Sequence, residues 1–204
     1  MKFKSVIASL TETGVYRDAL FYKFPGGLRF ELSEGGSPLD QVLTALRKAT
    51  SICGDVFPEN GTILVHLQTW LAFSGFARRK AIRELWDAGI AIPAQKDIWH
   101  EPVGENDLLE DGYIVHCAFE VPAAKLQNLL WCALVTDFPS LRPNPPCRVY
   151  LIDAANGILV HPYDDRGMDI ICRRPTMLKT LYEKHNRYLL DYDREDMDLS
   201  FNSA

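Results

Sequence analysis

Ile158–Arg173, ILVHPYDDRGMDIICR, is the stretch whose reading decides the fold. Two apolar runs flank a charged turn, Tyr163-Asp164-Asp165-Arg166-Gly167-Met168-Asp169, and a third such run, Arg148–Asp153, precedes them across Asn156-Gly157. Asn-Gly is a strong hairpin signal, because the favoured two-residue turn needs positive φ at both central positions. Three strands in succession, Arg148–Asp153, Ile158–Tyr163 and Asp169–Arg173, argue against a purely parallel, doubly wound sheet. The expected class is α+β: a largely antiparallel or mixed sheet with helices packed on it, and a C-terminal β-meander followed by a helix.

Working outward, Ser37-Pro38 opens the clearest helix. Serine is a good N-cap, proline suits the first helical position, and Asp40 lies where it favours the helix dipole. Leu39, Val42, Leu43, Leu46, Ala49 and Ile52 recur at helical spacing and are the expected buried stripe of a helix running to about Val56. Thr62–Trp70 is β-branched and apolar, and reads as a central strand. A second helix spans Phe76–Ala88 and ends at Gly89; its basic run, Arg78-Arg79-Lys80 with Arg83, reads as a solvated face. Tyr113–Val121 is a further strand, and Pro122 begins a helix through about Thr136. The prolines at 139, 143, 145 and 146 make a stiff connector. Near the start, Ala19–Phe24 and Leu28–Leu32 look like two strands joined at Pro25-Gly26-Gly27. At the other end, a helix from Thr176 to Leu190 precedes a short acidic tail.

The 204 residues fit one globular domain, 1–204, with 47% hydrophobic and 24% charged residues. A net charge of −5 argues against a nucleic-acid binder, which needs a basic face for phosphates, and is compatible with a basic protein partner. Cys53, Cys117, Cys132, Cys147 and Cys172 are scattered and form no CxxC pair, which suits reduced thiols in a cytoplasm. No segment has the apolar length of a membrane span, and Val6–Leu10 is too short for a signal peptide's apolar region. A cytoplasmic location, with no membrane partner and no cofactor, is the expectation.

Two acidic segments stand out. Pro93–Gly112 reads as a loop carrying Asp97, Glu101, Glu105, Asp107, Glu110 and Asp111 against Lys96 alone; Asp191–Asp198 carries five negatives and one positive. Trp99 and the carboxylates of the first segment are the expected partner contacts, since an exposed tryptophan is a common interface anchor. The charged turn admits two readings. In the structural one, Gly167 takes positive φ, the aspartates accept backbone N–H bonds, and Arg166 forks onto a carboxylate. Asp193-Arg194 then helps clamp the last helix to the sheet. In the enzymatic one, Asp164, Asp165, Asp169 and Asp193, with Asp191 and His161 nearby, hold a hard cation for hydrolysis. No Walker segment, calcium loop, HExxH helix or nucleophile elbow accompanies them, so the structural reading is preferred. His66, His116 and His161 lie in strands without metal-ligand spacing and read as hydrogen-bonded structural histidines. Trp70, Trp86 and Trp131 read as core.

At HPYDDRGMDIICR and LYEKHNRYLLDYDREDMD the chain resembles a bacterial family designated domain of unknown function 3885. The shared pattern is a strand ending in tyrosine, then DDRG, an Asp, an apolar strand, a helix with Leu-Tyr, and LLDYDR. It falls here on Tyr163–Asp169, Leu181-Tyr182 and Leu189–Arg194, with a looser match at Leu28–Leu32 and the helix leading to Val56-Phe57. The resemblance supplies no catalytic residues. It implies immunity proteins encoded beside polymorphic toxins. The expected function is a non-catalytic module that binds and neutralises a cognate, basic protein toxin; the alternative is the metal-assisted hydrolase.

Overall fold

The computed structural model of the chain describes residues 2–10, 19–71, 75–102 and 113–202. Seven strands form one antiparallel sheet: β1 (Leu28–Glu31), β2 (Thr62–Leu71), β3 (Asp97–Pro102), β4 (Tyr113–Pro122), β5 (Arg148–Asp153), β6 (Ile158–Asp164) and β7 (Gly167–Cys172). Their spatial order is β1-β7-β6-β5-β2-β4-β3. The helices are α1 (Lys2–Leu10), α2 (Leu20–Lys23), α3 (Pro38–Gly54), α4 (Gly75–Asp87), α5 (Leu126–Leu134), α6 (Lys179–Lys184) and α7 (Arg194–Asn202). The α+β class and the closing β5-β6-β7 meander follow the sequence reading; Gly157 has positive φ (68°), but Asn156 does not, because the β5–β6 turn spans residues 154–157 between paired Asp153 and Ile158 rather than two residues. Among the described residues no helix is long and apolar enough to cross a membrane.

Period-two alternation divides the side chains between two cores. Ile63, Val65 and Leu67 of β2, Phe119 and Val121 of β4, Val149 and Leu151 of β5, and Val160 of β6 face the larger core, which α3, α5, α6 and α7 complete. Leu64, Ala118, Ile152, Leu159 and Ile171 face the other way, under Phe3, Ile7 and Leu10 of α1 and Leu20 of α2. Each fully buried aliphatic side chain contributes about 1.5–3 kcal/mol, so the larger cluster dominates stability.

Ser37 caps α3 through a complete capping box with Asp40, and Pro38 occupies the first turn. The buried stripe differs from expectation. Val42, Ala45, Ala49, Ile52 and Cys53 are buried, whereas Leu39 and Leu43 are about half exposed, at 50% and 49%. The stripe is rotated about the helix axis: Val42, Ala45, Ala49 and Ile52 share the core face, and Leu39 and Leu43, one turn apart, lie on its solvent flank.

Four other expectations are corrected. Ala19–Phe24 is not a strand: Leu20–Lys23 is one helical turn, entered through Ala19 in the left-handed region (φ 51°), and β1 pairs with β7 instead. Part of the anticipated loop, Asp97–Pro102, is an edge strand on β4 with side chains alternating between partly buried and exposed. The helix anticipated from Thr176 to Leu190 breaks after Lys184; Leu189 bridges Phe30, and the Leu190 amide donates to Arg29 O at 2.9 Å. Edge pairing with β1 outcompetes continuation of the helix. The acidic tail is itself helical, as α7.

Candidate functional site

The charged turn and the tail converge on Arg29, a residue of β1. Register places Arg29 directly opposite Asp169 of β7, so both side chains leave the same face of the sheet. Arg29 Nε donates to Asp169 Oδ1 at 2.7 Å and NH2 donates to Oδ2 at 2.9 Å, while NH1 reaches Asp193 Oδ2 at 3.3 Å. Asp169 also accepts the Phe21 amide at 3.1 Å, and Asp193 accepts the Tyr22 hydroxyl at 3.0 Å. All three charged residues are buried: Arg29 is 8% exposed, Asp169 0% and Asp193 4%. Burial opposes the arginine's charge, but the hydrogen-bonded Asp169 carboxylate outweighs it and raises the guanidinium above its ordinary pKa. Burial, reinforced by Asp193, likewise pushes the Tyr22 hydroxyl up.

The turn closes on itself. Asp164 accepts the Arg166 amide at 2.8 Å and the Arg166 Nε at 2.9 Å, and the guanidinium also reaches Asp137 at 3.2 Å. Gly167 is required for space rather than for positive φ: a Cβ there would sit against the Tyr163 hydroxyl, 2.5 Å from its Cζ and 3.0 Å from Phe30 O. Asp165 is buried and its Oδ2 has no hydrogen-bond partner; burial raises its pKa, against a hydrogen bond from Ser33. Asp191 stays outside the cluster, 3.8 Å from Arg194 and fully in solvent, while Arg194 donates to Asn186 O and Oδ1. Among the described residues no three His, Cys, Asp or Glu side chains are grouped to hold a metal ion.

The profile of one family, Domain of unknown function (DUF3885), matches residues 8–193. The chain belongs to that family. No curated protein and no solved structure matches it. The family match spans the whole Arg29–Asp169–Asp193 seam and ends where α7 begins.

The first acidic segment is placed only in part, since Glu105, Asp107, Glu110 and Asp111 lie outside the described residues. Asp97 accepts the amides of Phe3 and Lys4 at 2.7 and 2.9 Å and so caps α1. Trp99 is half-buried, its ring stacked 4.7 Å from His116, with Lys4 Nζ 5.5 Å above it. Glu101 meets His116 Nε2 at 3.0 Å. Each of these three side chains has an internal partner. Trp86, read as core, is 70% exposed on α4.

Register assembles what the sequence shows only as scattered residues. Trp99 pairs with His116 across β3 and β4, and His66 pairs with Tyr150 across β2 and β5; His116, whose own partner on β2 is Gln68, meets His66 diagonally, and His161 of β6 continues the row. Centroid spacings along it are 4.7, 5.2, 5.6 and 4.3 Å. His66 Nε2 and His116 Nδ1 lie 3.0 Å apart, within hydrogen-bonding distance. Burial holds His66 well below the ordinary histidine range, and burial with Arg148 nearby lowers His161 to about 3. His66 and His161 are therefore neutral imidazoles at physiological pH. It borders a cleft of about 370 Å³ lined by Gln68, Trp70, Arg148, His161 and Tyr163 among others. Burial also raises the thiols of Cys53, Cys117, Cys132 and Cys147, which are not poised as nucleophiles.

Proposed function

We propose that the chain is a non-catalytic protein-binding module, an immunity protein that binds a cognate toxin with a basic face and masks its active site. The observation that carries this reading is the two-sided character of the C-terminal segment. Asp193, Met197 and Phe201 point inward and are buried. Tyr192, Glu195, Asp196 and Leu199, at i, i+3, i+4 and i+7, form the outward face; Tyr192 is 87% and Leu199 69% exposed. Glu195 and Asp196 have no ion-pair partner among the described residues. Two outward carboxylates between a tyrosine and a leucine offer a basic partner both electrostatic steering and an apolar anchor. The hydrolase alternative has less support, because Arg29 and Arg166 occupy oxygens of Asp169, Asp193 and Asp164 that a cation would need.

The test is co-expression with the product of the neighbouring gene, followed by association kinetics of the purified pair. Reversing Glu195 and Asp196 to lysine should slow association about tenfold and flatten its salt dependence, leaving thermal unfolding unchanged. A pair that never forms, or one indifferent to these charges and to salt, overturns the proposal.

A further inference from the structure

Helix α4 presents a basic, aromatic face that the fold leaves uncovered. Its inward side buries Ala81 and Leu85, and the helix packs on β2. Arg79, Ile82, Arg83 and Trp86, at i, i+3, i+4 and i+7, are all exposed. Among the described residues Arg79 has no ion-pair partner, and Arg83 meets Asp87 at 3.9 Å in an exposed pair that contributes little. Lys80 and Arg142 add positive charge along the cleft beside this face, where Glu84 is already engaged by the Asn144 amide at 2.7 Å and by Arg142 at 3.6 Å. An exposed tryptophan beside arginines has the composition of an interface hot spot, and this one is cationic in a chain of net charge −5.

The same chain carries the complement. The outward side of α7 repeats the helical spacing with the opposite charge, as Tyr192, Glu195, Asp196 and Leu199. That helix lies on β1, where Met197 Sδ accepts the Arg29 amide at 3.3 Å. In the sheet β7, β6 and β5 stand between β1 and β2, which puts roughly 20 Å between the strands beneath the two helices. The two faces therefore cannot meet within one chain. We infer that the α4 face docks on the α7 face of a second copy, with Arg79 and Arg83 against Glu195 and Asp196, and Trp86 and Ile82 against Leu199 and Tyr192. The contact joins unlike patches, so it builds rings or chains rather than a two-fold dimer. It requires no toxin, and a toxin held on α7 would displace the neighbouring copy.

Sedimentation velocity of the full chain is the test. At low salt the mean sedimentation coefficient should climb with concentration past that of a dimer, and about 0.5 M sodium chloride should return it to the monomer value. Trp86→Ala should weaken association about tenfold or more. Arg79→Glu/Arg83→Glu and Glu195→Lys/Asp196→Lys should each remain folded, by thermal unfolding, and monomeric. An equimolar mixture of the two should associate again, because each reversed face now matches the other. The α4 variant should still bind a toxin through its unaltered α7, which separates this inference from the toxin reading. A wild-type chain that stays monomeric at millimolar concentration, association that ignores salt or survives either reversal, or a mixture that stays monomeric overturns the inference.

Discussion

Replacing Arg29 with methionine keeps the apolar stem and deletes the guanidinium. Its hydrogen bonds to Asp169, at 2.7 and 2.9 Å, and to Asp193, at 3.3 Å, go with it. Among the described residues Asp169, with no exposed surface, keeps only the Phe21 amide, and Asp193 keeps only the Tyr22 hydroxyl. Removing one partner of a buried pair costs about 3–5 kcal/mol, because the other charge is left uncompensated. The guanidinium also sits 4.5 Å from the Tyr22 ring centroid, a contact worth about 0.5–2 kcal/mol and therefore secondary. For a chain of this length each kcal/mol moves Tm by about 2–4 °C, so Arg29→Met should melt ~10 °C lower. Urea unfolding at pH 7 should show a lower midpoint with unchanged slope. The double variant Arg29→Met/Asp169→Leu should recover part of the loss, since it removes a stranded charge as well as its partner. A loss below about 1 kcal/mol, the range of exposed ion pairs, would refute the buried clamp. Strict additivity in the double variant would do the same.

Three further perturbations probe other parts of the fold. Gly167→Ala should cost about 1–3 kcal/mol by overpacking against Tyr163, and Tyr163→Phe, which removes the hydroxyl, should restore part of it in chemical denaturation. His161 is held near 3 against about 6.5 in the unfolded chain, so its contribution is fully present above pH 6.5 and is lost as pH falls toward 3. Wild type should therefore lose about 1.4 kcal/mol more per pH unit below 6.5 than His161→Phe, and parallel stability curves for the two would contradict this. Asp97→Ala removes the acceptor that holds the Phe3 and Lys4 amides; it should cost about 0.5–2 kcal/mol and speed proteolysis within α1, whereas unchanged protection of α1 would count against that role.

Local chemistry was legible in the sequence; long-range pairing was not. Ser37-Pro38 and Asn156-Gly157 announced α3 and the β5–β6 hairpin because capping and turn geometry depend on near neighbours. The turn aspartates were readable as acceptors, but Arg29 stands 140 residues from Asp169 and 164 from Asp193, and no local pattern joins them. Strand register had the same effect on the histidines. His66, His116 and His161 look unrelated until β2 is paired with β4 and β5 and β6 is added. Asp97–Pro102 was hidden by its acidity and its terminal proline, although its side chains alternate as an edge strand's should. Ala19–Phe24 failed for another reason. An apolar run of that length fits either secondary structure, and the hydrogen bonds of Phe21 and Tyr22 to distant aspartates accompany the helical turn.

The capped outer edge of β1 has a temporal side. On the ribosome this strand emerges well before its sheet neighbour, β7, since Arg29 precedes Asp169 by 140 residues, and before the residues that cover its other flank, Leu189 and Leu190. Until then Arg29 has no buried counter-ion and Phe30 no place in a core. A nascent chain interrupted before Leu190 would hold most of the sheet with an unfinished border, open to pairing with whatever extended backbone is nearby.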